Sequence, residues 1–381
     1  MLPEIYNNHL TTYLKKSEYL ILLIMVQLVQ THRKVRLEEL ANYFPIPIYF
    51  ESKRKKLKRF LESSYLTIEG VWIPIVRQWL EQSFNPGNVL HIAIDRTQWG
   101  LINILMVSLV IDNRGIPLYF ELLDHRGNSN FDTQKSILSR VLPFLKEYKI
   151  VVLGDREFCS VELAKWLHGQ KQVYYALRLK KSNYIEVEKE MWTRLKDLGL
   201  SPGMSLFYQG VKVTKTKGFI GSNIVAKWKR KYRGIETKEA WFIITNLSSL
   251  DETIEAYKKR FCIEEMFRDF KKGGYDLERT KLTGHRLTSL IILITLAYSM
   301  ATFSGKIIKD KGLAKYVGRV RKNKKMQRRH SNFYIGLHGK DWVESCDLFA
   351  VESQALMQLS PEKCAYYRRG RRAISLIKSS L

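Results

Sequence analysis

After the turn signal NPGN at 85–88 the chain leaves helical periodicity for three consecutive β-rich runs: VLHIAI at 89–94, INILMVSLVI at 102–111 and PLYFELL at 117–123. The turn DNRG at 112–115 joins the last two as a hairpin. A helical pattern follows at about 133–148, then a buried strand at 150–153, a short helix near 161–168 and a further strand at 173–179. Two of these strands end on an acid. Asp95 follows the first in HIAIDRTQW, and Asp155 follows the fourth in IVVLGDREF.

Three strands in a meander, then helix, strand, helix and strand, is the order of a ribonuclease H-like α/β fold. The alternation stops at 181–240, a stretch rich in Lys, Tyr, Trp and Gly with strand-like pieces MSLFYQ (204–209) and NIVAKWKRKY (223–232), which reads as a mostly β insertion. The core resumes with WFIITNL (241–247) and one long helix over about 250–272, closed by Gly273-Gly274. Upstream, three helices are expected at 17–30 (with Ser17 as cap), 36–43 and 50–63, the last carrying KRKKLKR after the Pro45–Pro47 break. They resemble a helix-turn-helix, or else a small helical cap with solvated charges. Downstream, 306–329 holds eleven Lys and Arg against Asp310. The expected organisation is a helical DNA-binding part (1–85), a catalytic core in two pieces (86–180 and 241–304) around a β-rich insertion (181–240), and a basic C-terminal region (305–381).

Composition narrows the function classes. With 64 Lys and Arg against 37 Asp and Glu, the formal charge is +27, while 45% apolar and 12% aromatic residues argue against a disordered polycation. So large an excess is costly self-repulsion without an anionic ligand, and nucleic acid, whose neutralised phosphates release counterions, is the natural partner. Cys159, Cys262, Cys346 and Cys364 form no CxxC pair, which disfavours a zinc site or a disulfide framework. The longest apolar runs, 19–29 and 290–303, fall short of the roughly 20 residues of a membrane span and read as buried helices. The start MLPEIYNN has no export-signal pattern, so a cytoplasmic protein is expected.

An acid directly after a buried strand stands at the strand's C-terminal edge, where α/β proteins build their sites. A lone Asp there also starts turns or caps helices, so the pair carries the weight. A third acid comes from the long helix, EAYKKRFCIEEMFRDFKKGG. At about 100° per residue, Tyr257, Arg260, Glu264 and Lys271 share one stripe roughly 60° wide with Arg268 beside them, while Ile263, Met266, Phe267 and Phe270 form the buried face. A stripe of this kind is usually only a solvated charged face. Three carboxylates gathered on a basic protein suit hard divalent cations, Mg²⁺ or Mn²⁺. Each ion takes one or two carboxylates plus water and phosphate, and two such ions assist an in-line phosphoryl displacement.

The spacing Tyr257-x2-Arg260-x3-Glu264-x6-Lys271 resembles the Tyr-Arg-Glu-Lys signature of bacterial insertion-sequence DDE transposases of the "insertion sequence four" type. The segments around Asp95 and Asp155, YALRLK (175–180) and WFIITNL (241–247) are similar to motifs of the same family, over roughly 89–300. The resemblance implies a ribonuclease H-like core with Asp95, Asp155 and Glu264 as ligands of two Mg²⁺ or Mn²⁺ ions, and a β insertion between Asp155 and Glu264. It implies phosphate contacts from Tyr257, Arg260 and Lys271, and cut-and-paste transposition at terminal inverted repeats by a DNA-bound homodimer in a bacterial cytoplasm. Arg178, Arg268 and Thr245-Asn246 are candidates to line the site, as is one of Trp192, Trp228 and Tyr232 to hold a flipped base. The clusters at 322–329 and 368–372 are candidate backbone contacts. A metal-dependent nuclease or resolvase on the same fold, which cuts without joining, and a non-catalytic DNA-binding derivative are the alternatives.

Overall fold

The computed structural model describes residues 2–215, 219–230, 239–319 and 330–381. By packing, the chain divides into two units, residues 80–267 and residues 1–79 with 268–381. This division does not coincide with the boundaries expected at 85, 180, 240 and 304.

The unit of residues 80–267 is built on one ten-stranded mixed sheet. Its strands are β1 (Val89–Trp99), β2 (Ile102–Ile111), β3 (Arg114–Leu122), β4 (Lys149–Gly154), β5 (Val173–Arg178), β6 (Tyr184–Glu188), β7 (Met191–Arg194), β8 (Ser205–Val213), β9 (Phe219–Lys227) and β10 (Trp241–Thr245), in the order β3-β2-β1-β4-β5-β10-β9-β8-β6-β7. The meander β1–β3 is antiparallel, and β4 and β5 run parallel to β1. Helices α6 (Phe131–Val141) and α7 (Val161–His168) connect these strands. β2 is buried along most of its length, as expected of a strand whose sequence is one continuous apolar run rather than an alternation. The β insertion is part of the same sheet: β10 pairs with β5 on one side and β9 on the other, so the insertion strands extend the sheet from the core's edge. The hairpin β6–β7, which short polar alternation hid from the sequence, continues it, and residues 231–238 of the insertion, Tyr232 among them, lie outside the described residues.

Two expectations need correction in this unit. β1 does not end before Asp95 but runs on to Trp99, because the antiparallel pairing with β2 continues to Trp99 opposite Ile102. The long helix over 250–272 is two helices, α8 (Leu250–Lys258), capped by the Ser249 hydroxyl, and α9 (Phe261–Phe270). Between them the Arg260 amide donates to the Tyr257 carbonyl (3.0 Å) and the Ile263 amide to the Arg260 carbonyl (3.2 Å). These three-residue bonds tighten and turn the backbone, so the 100° projection does not carry across the break.

The other unit is helical: α1 (Glu4–Tyr13), α2 (Lys16–His32), α3 (Leu37–Tyr43), α4 (Phe50–Leu61), α5 (Ile73–Ser83, whose end crosses the boundary), α10 (Gly284–Asp310), α11 (Ala314–Val317), α12 (Asn332–Leu348), α13 (Ala350–Gln358) and α14 (Cys364–Lys378). α2 starts one residue ahead of Ser17, with the Lys15 amide donating to the Glu18 carboxylate. α10 is the axis. It is long and apolar enough by composition to cross a membrane, but 89% of its apolar window is buried in protein. Several of its polar groups find partners there: Tyr6 donates to the Ser299 hydroxyl (2.9 Å), Gln30 to the Ala297 carbonyl (3.0 Å) and Ser289 to the Leu61 carbonyl (2.8 Å). A lipid-facing span would expose apolar side chains instead. The region after 305, which its charge made look like a basic tail, packs α12 along α10, while 322–329 lies outside the described residues.

Candidate active site

Parallel register brings the two aspartates together. Ile94 of β1 lies opposite Gly154, the last residue of β4, so Asp95 in β1 and Asp155, just past the end of β4, are each the next residue beyond a paired position. Gly154 is glycine for a local reason: a Cβ there would stand 2.8 Å from the Phe158 Cβ and 3.0 Å from a Leu177 methyl.

α8 and α9 supply the rest. Arg260, at the break, is 3% exposed, and its guanidinium reaches all three acids: Asp95 Oδ2 at 3.5 Å, Asp155 Oδ2 at 4.0 Å and Glu264 Oε1 at 2.5 Å. Its face lies on the Phe261 ring, 4.6 Å from the centroid. The Tyr257 hydroxyl donates to Asp155 Oδ1 (3.4 Å), and Arg178 ion-pairs with Asp155 (3.7 Å) and Glu239 (2.9 Å), which also pairs with Arg156. Thus Asp95, Asp155, Glu264, Tyr257, Arg260 and Arg178 meet in one place. Arg268 is exposed and Lys271 pairs with Glu278 (2.9 Å); both belong to the helical unit.

Electrostatics follow from this crowding. Burial pushes the Asp95 carboxyl up to about 6, helped by the Glu264 and Asp155 charges and opposed by the Arg96 amide and Arg260. Burial, then the Asp155 charge, raises the Tyr257 hydroxyl. Burial works against the Arg260 charge, but Tyr257, Asp155 and Glu264 outweigh it and raise its pKa. Arg260 is the counter-charge that lets three acids coexist. Arg260→Ala is therefore expected to destabilise the sheet unit by about 3 kcal/mol in EDTA, since it leaves partly buried carboxylates uncompensated. Melting should fall by roughly 6–12 °C for a unit of this size, and millimolar Mg²⁺ should recover more of the loss in the variant than it adds to the wild type. Equal melting of variant and wild type in both buffers would remove Arg260 from this role.

Two residues inside the aspartate motifs escaped the sequence reading. Arg96 and Glu157, both largely buried, form a two-pronged pair, with the Arg96 Nε donating to both Glu157 oxygens at 3.0 Å. Glu157 also accepts from the Ser129 amide (2.9 Å) and hydroxyl (2.8 Å), and Arg96 donates to Asn103 and Gln98. The pair ties the backbone beside Asp95 to that beside Asp155. The available signal was position, since each stands within two residues of an aspartate. The Thr245 hydroxyl bonds the Tyr175 carbonyl (2.6 Å) and Asn246 bridges the Tyr175 amide and Val173 carbonyl, so these two lock β5 to the strand end. Trp192 stacks under Lys212 on the insertion sheet.

Among the described residues no group of three His, Cys, Asp or Glu side chains is close enough to close a metal shell unaided. Mg²⁺ does not require one, because one or two carboxylates completed by water and phosphate suffice. Asp95 in β1 and Asp155 just past the neighbouring β4, with Glu264 reaching the same guanidinium, fit that donor chemistry. An acid set of this kind among arginines suits phosphoryl-transfer chemistry. The profile of the family described as "Transposase DDE domain" matches residues 91–300, and the chain belongs to that family: it is a DDE transposase. Curated protein sequences give no match. A solved structure similar to it is a cryo-EM structure of piggyBac transposase in a synaptic complex with hairpin DNA, at 14% identity and a TM-score of 0.47, covering 98% of this chain and 80% of that one.

Proposed function

We propose that this transposase moves an insertion sequence of the "insertion sequence four" type by cut-and-paste, on a ribonuclease H-like core formed by β1–β5 with α6 and α7. The observation that carries the reading is the convergence of Asp95, Asp155 and Glu264, from three separate elements, within 4.0 Å of one buried guanidinium. Asp95, Asp155 and Glu264 would hold Mg²⁺ or Mn²⁺, two ions in all. Bound there, the cations would activate the attacking oxygen and stabilise the leaving one.

The chain's own groups would do the rest. Arg260 and Tyr257, with Arg178, would hold the phosphates beside the cut, a task the acids cannot perform. Water would cleave the phosphodiester at the terminal inverted repeat and release a 3′-hydroxyl, which then attacks target DNA and displaces its 3′-oxygen. The basic helices of the N-terminal part and the C-terminal arginines would add sequence-independent affinity through phosphate contacts. Two ends must be joined, so two copies would act together.

The test is incubation of the purified chain with labelled DNA bearing the native element ends and a target plasmid, with Mg²⁺ or with EDTA. Metal-dependent nicks at the repeat boundary and joined products support the proposal. Cleavage without joining would assign a nuclease or resolvase, and binding without cleavage on verified ends a non-catalytic derivative.

A further inference from the structure

The edge of the acid cluster holds one carboxylate that the proposed chemistry does not use. Glu239 stands just ahead of β10, and a single oxygen of it, Oε1, accepts from two guanidinium groups: Arg178 Nη2 at 2.9 Å, and Nη2 of Arg156. Arg178 is largely buried and ends β5, where Ile243 of β10 lies opposite it. Its Nη1 stands 3.7 Å from Asp155 Oδ1. Arg156 follows Asp155 directly, on the turn Arg156–Phe158. Two arginines from different elements thus converge on one oxyanion beside Asp155.

A guanidinium fork fits carboxylate and phosphate alike, so the position taken by Glu239 Oε1 also suits a phosphate oxygen. As a strut the acid has little to do. β10 is already held by backbone pairing to β5 and to β9, and an ion pair whose partners, Arg156 and Glu239, are 46% and 29% exposed adds little to stability. As a neighbour it is unfavourable, because it brings a fourth negative charge to the place where Asp95, Asp155 and Glu264 already gather around Arg260. An acid set against like charges, and against the approach of a polyanion, is explained by what it covers: two arginines that would otherwise hold any phosphate in reach.

We propose that Arg156 and Arg178 form a seat for one backbone phosphate of the DNA, and that Glu239 occupies this seat in the free protein and is displaced when DNA is bound. The inference rests on the reading that DNA is cut beside Asp155. Two arginines and a glutamate sum to a single positive charge, whereas a glutamine in the acid's place leaves two. Exchanging one anion for another on the same arginines is close to balanced, so DNA gains less from this seat than two uncovered arginines would give.

The experiment is anisotropy titration of the full chain with a labelled duplex bearing the native element ends, in EDTA and over a range of KCl concentrations, wild type beside Glu239→Gln. The variant should bind about tenfold tighter at about 100 mM KCl, and its plot of log affinity against log salt should be steeper by about 0.9, the contribution of one more neutralised phosphate. Glu188→Gln, the same loss of charge at the exposed end of β6, should bind within about twofold of the wild type with an unchanged slope. Adding Arg156→Gln to Glu239→Gln should abolish the gain. Binding by Glu239→Gln no tighter than the wild type's overturns the proposal, as does melting of that variant more than a few degrees below the wild type, since either result makes Glu239 a strut. A gain that survives Arg156→Gln overturns it too. Cleavage and joining with Mg²⁺ are scored on the same preparations: the affinity shift without any cut end would sink the transposition reading and leave the seat standing, and cut ends without the shift would do the reverse.

Discussion

Glu264→Gln is expected to lower cleavage at the element ends by at least about a thousandfold while leaving DNA affinity within about twofold. The substitution keeps the shape of the side chain and removes only its charge. Glu264 is exposed on one side, and its structural partner is the Arg260 guanidinium at 2.5 Å, so no core packing is lost. A large loss of rate with little change in melting would identify a group that acts on the reacting phosphate. The neighbouring Glu265, which pairs with Arg114 at 3.3 Å, is the control, and Glu265→Gln should cut DNA at close to the wild-type rate. Cleavage above a tenth of wild type in Glu264→Gln would show that the third acid lies elsewhere.

Gly336→Ala should destabilise the helical unit by about 4 kcal/mol or more. α10 and α12 touch backbone to backbone. A Cβ at Gly336 would stand 1.8 Å from the Ala301 carbonyl oxygen, and one at Gly305 would stand 1.8 Å from that of Asn332. Rotamer changes cannot relieve a clash with main chain, so the helices must part along a seam that also buries Tyr298, Phe333 and Ile335. The variant is expected to give little soluble protein, or a thermal transition of that unit lower by roughly 10 °C. Gly370→Ala, where an added Cβ meets nothing within 4 Å, should melt as the wild type or slightly higher. If Gly336→Ala melted with the wild type, the close contact of α10 and α12 would be wrong.

Much of the local structure around the candidate site was legible in the sequence. The strands that carry Asp95 and Asp155 are runs of consecutive apolar residues, and such a pattern is local: it depends on which side chains neighbour one another in the chain. The buried face of α9, with Ile263, Met266 and Phe267, was equally visible as a periodicity. Extrapolating that periodicity through Arg260 failed, because the turn between α8 and α9 is a backbone event without a Pro or Gly to announce it. Lys271 and Arg268 share the signature's spacing with Tyr257 and Glu264, yet by packing they belong to the helical unit. Spacing along a chain does not reveal where one packed body ends.

The sequence by itself determined the order of strands and helices through the core, the two aspartates at strand positions, the third acid in the helical segment and the polyanion-seeking charge. All of these follow from residue type and short-range period. Tertiary structure alone decided that Arg260 is the buried cation shared by three carboxylates, that Arg96 and Glu157 brace the two aspartate motifs, that the insertion continues the core sheet through β10, and that α12 of the C-terminal region packs along α10. Each of these joins groups separated by tens to hundreds of residues. The free energy of such a contact depends on burial and mutual geometry that exist only once the chain has folded, so no local pattern records it.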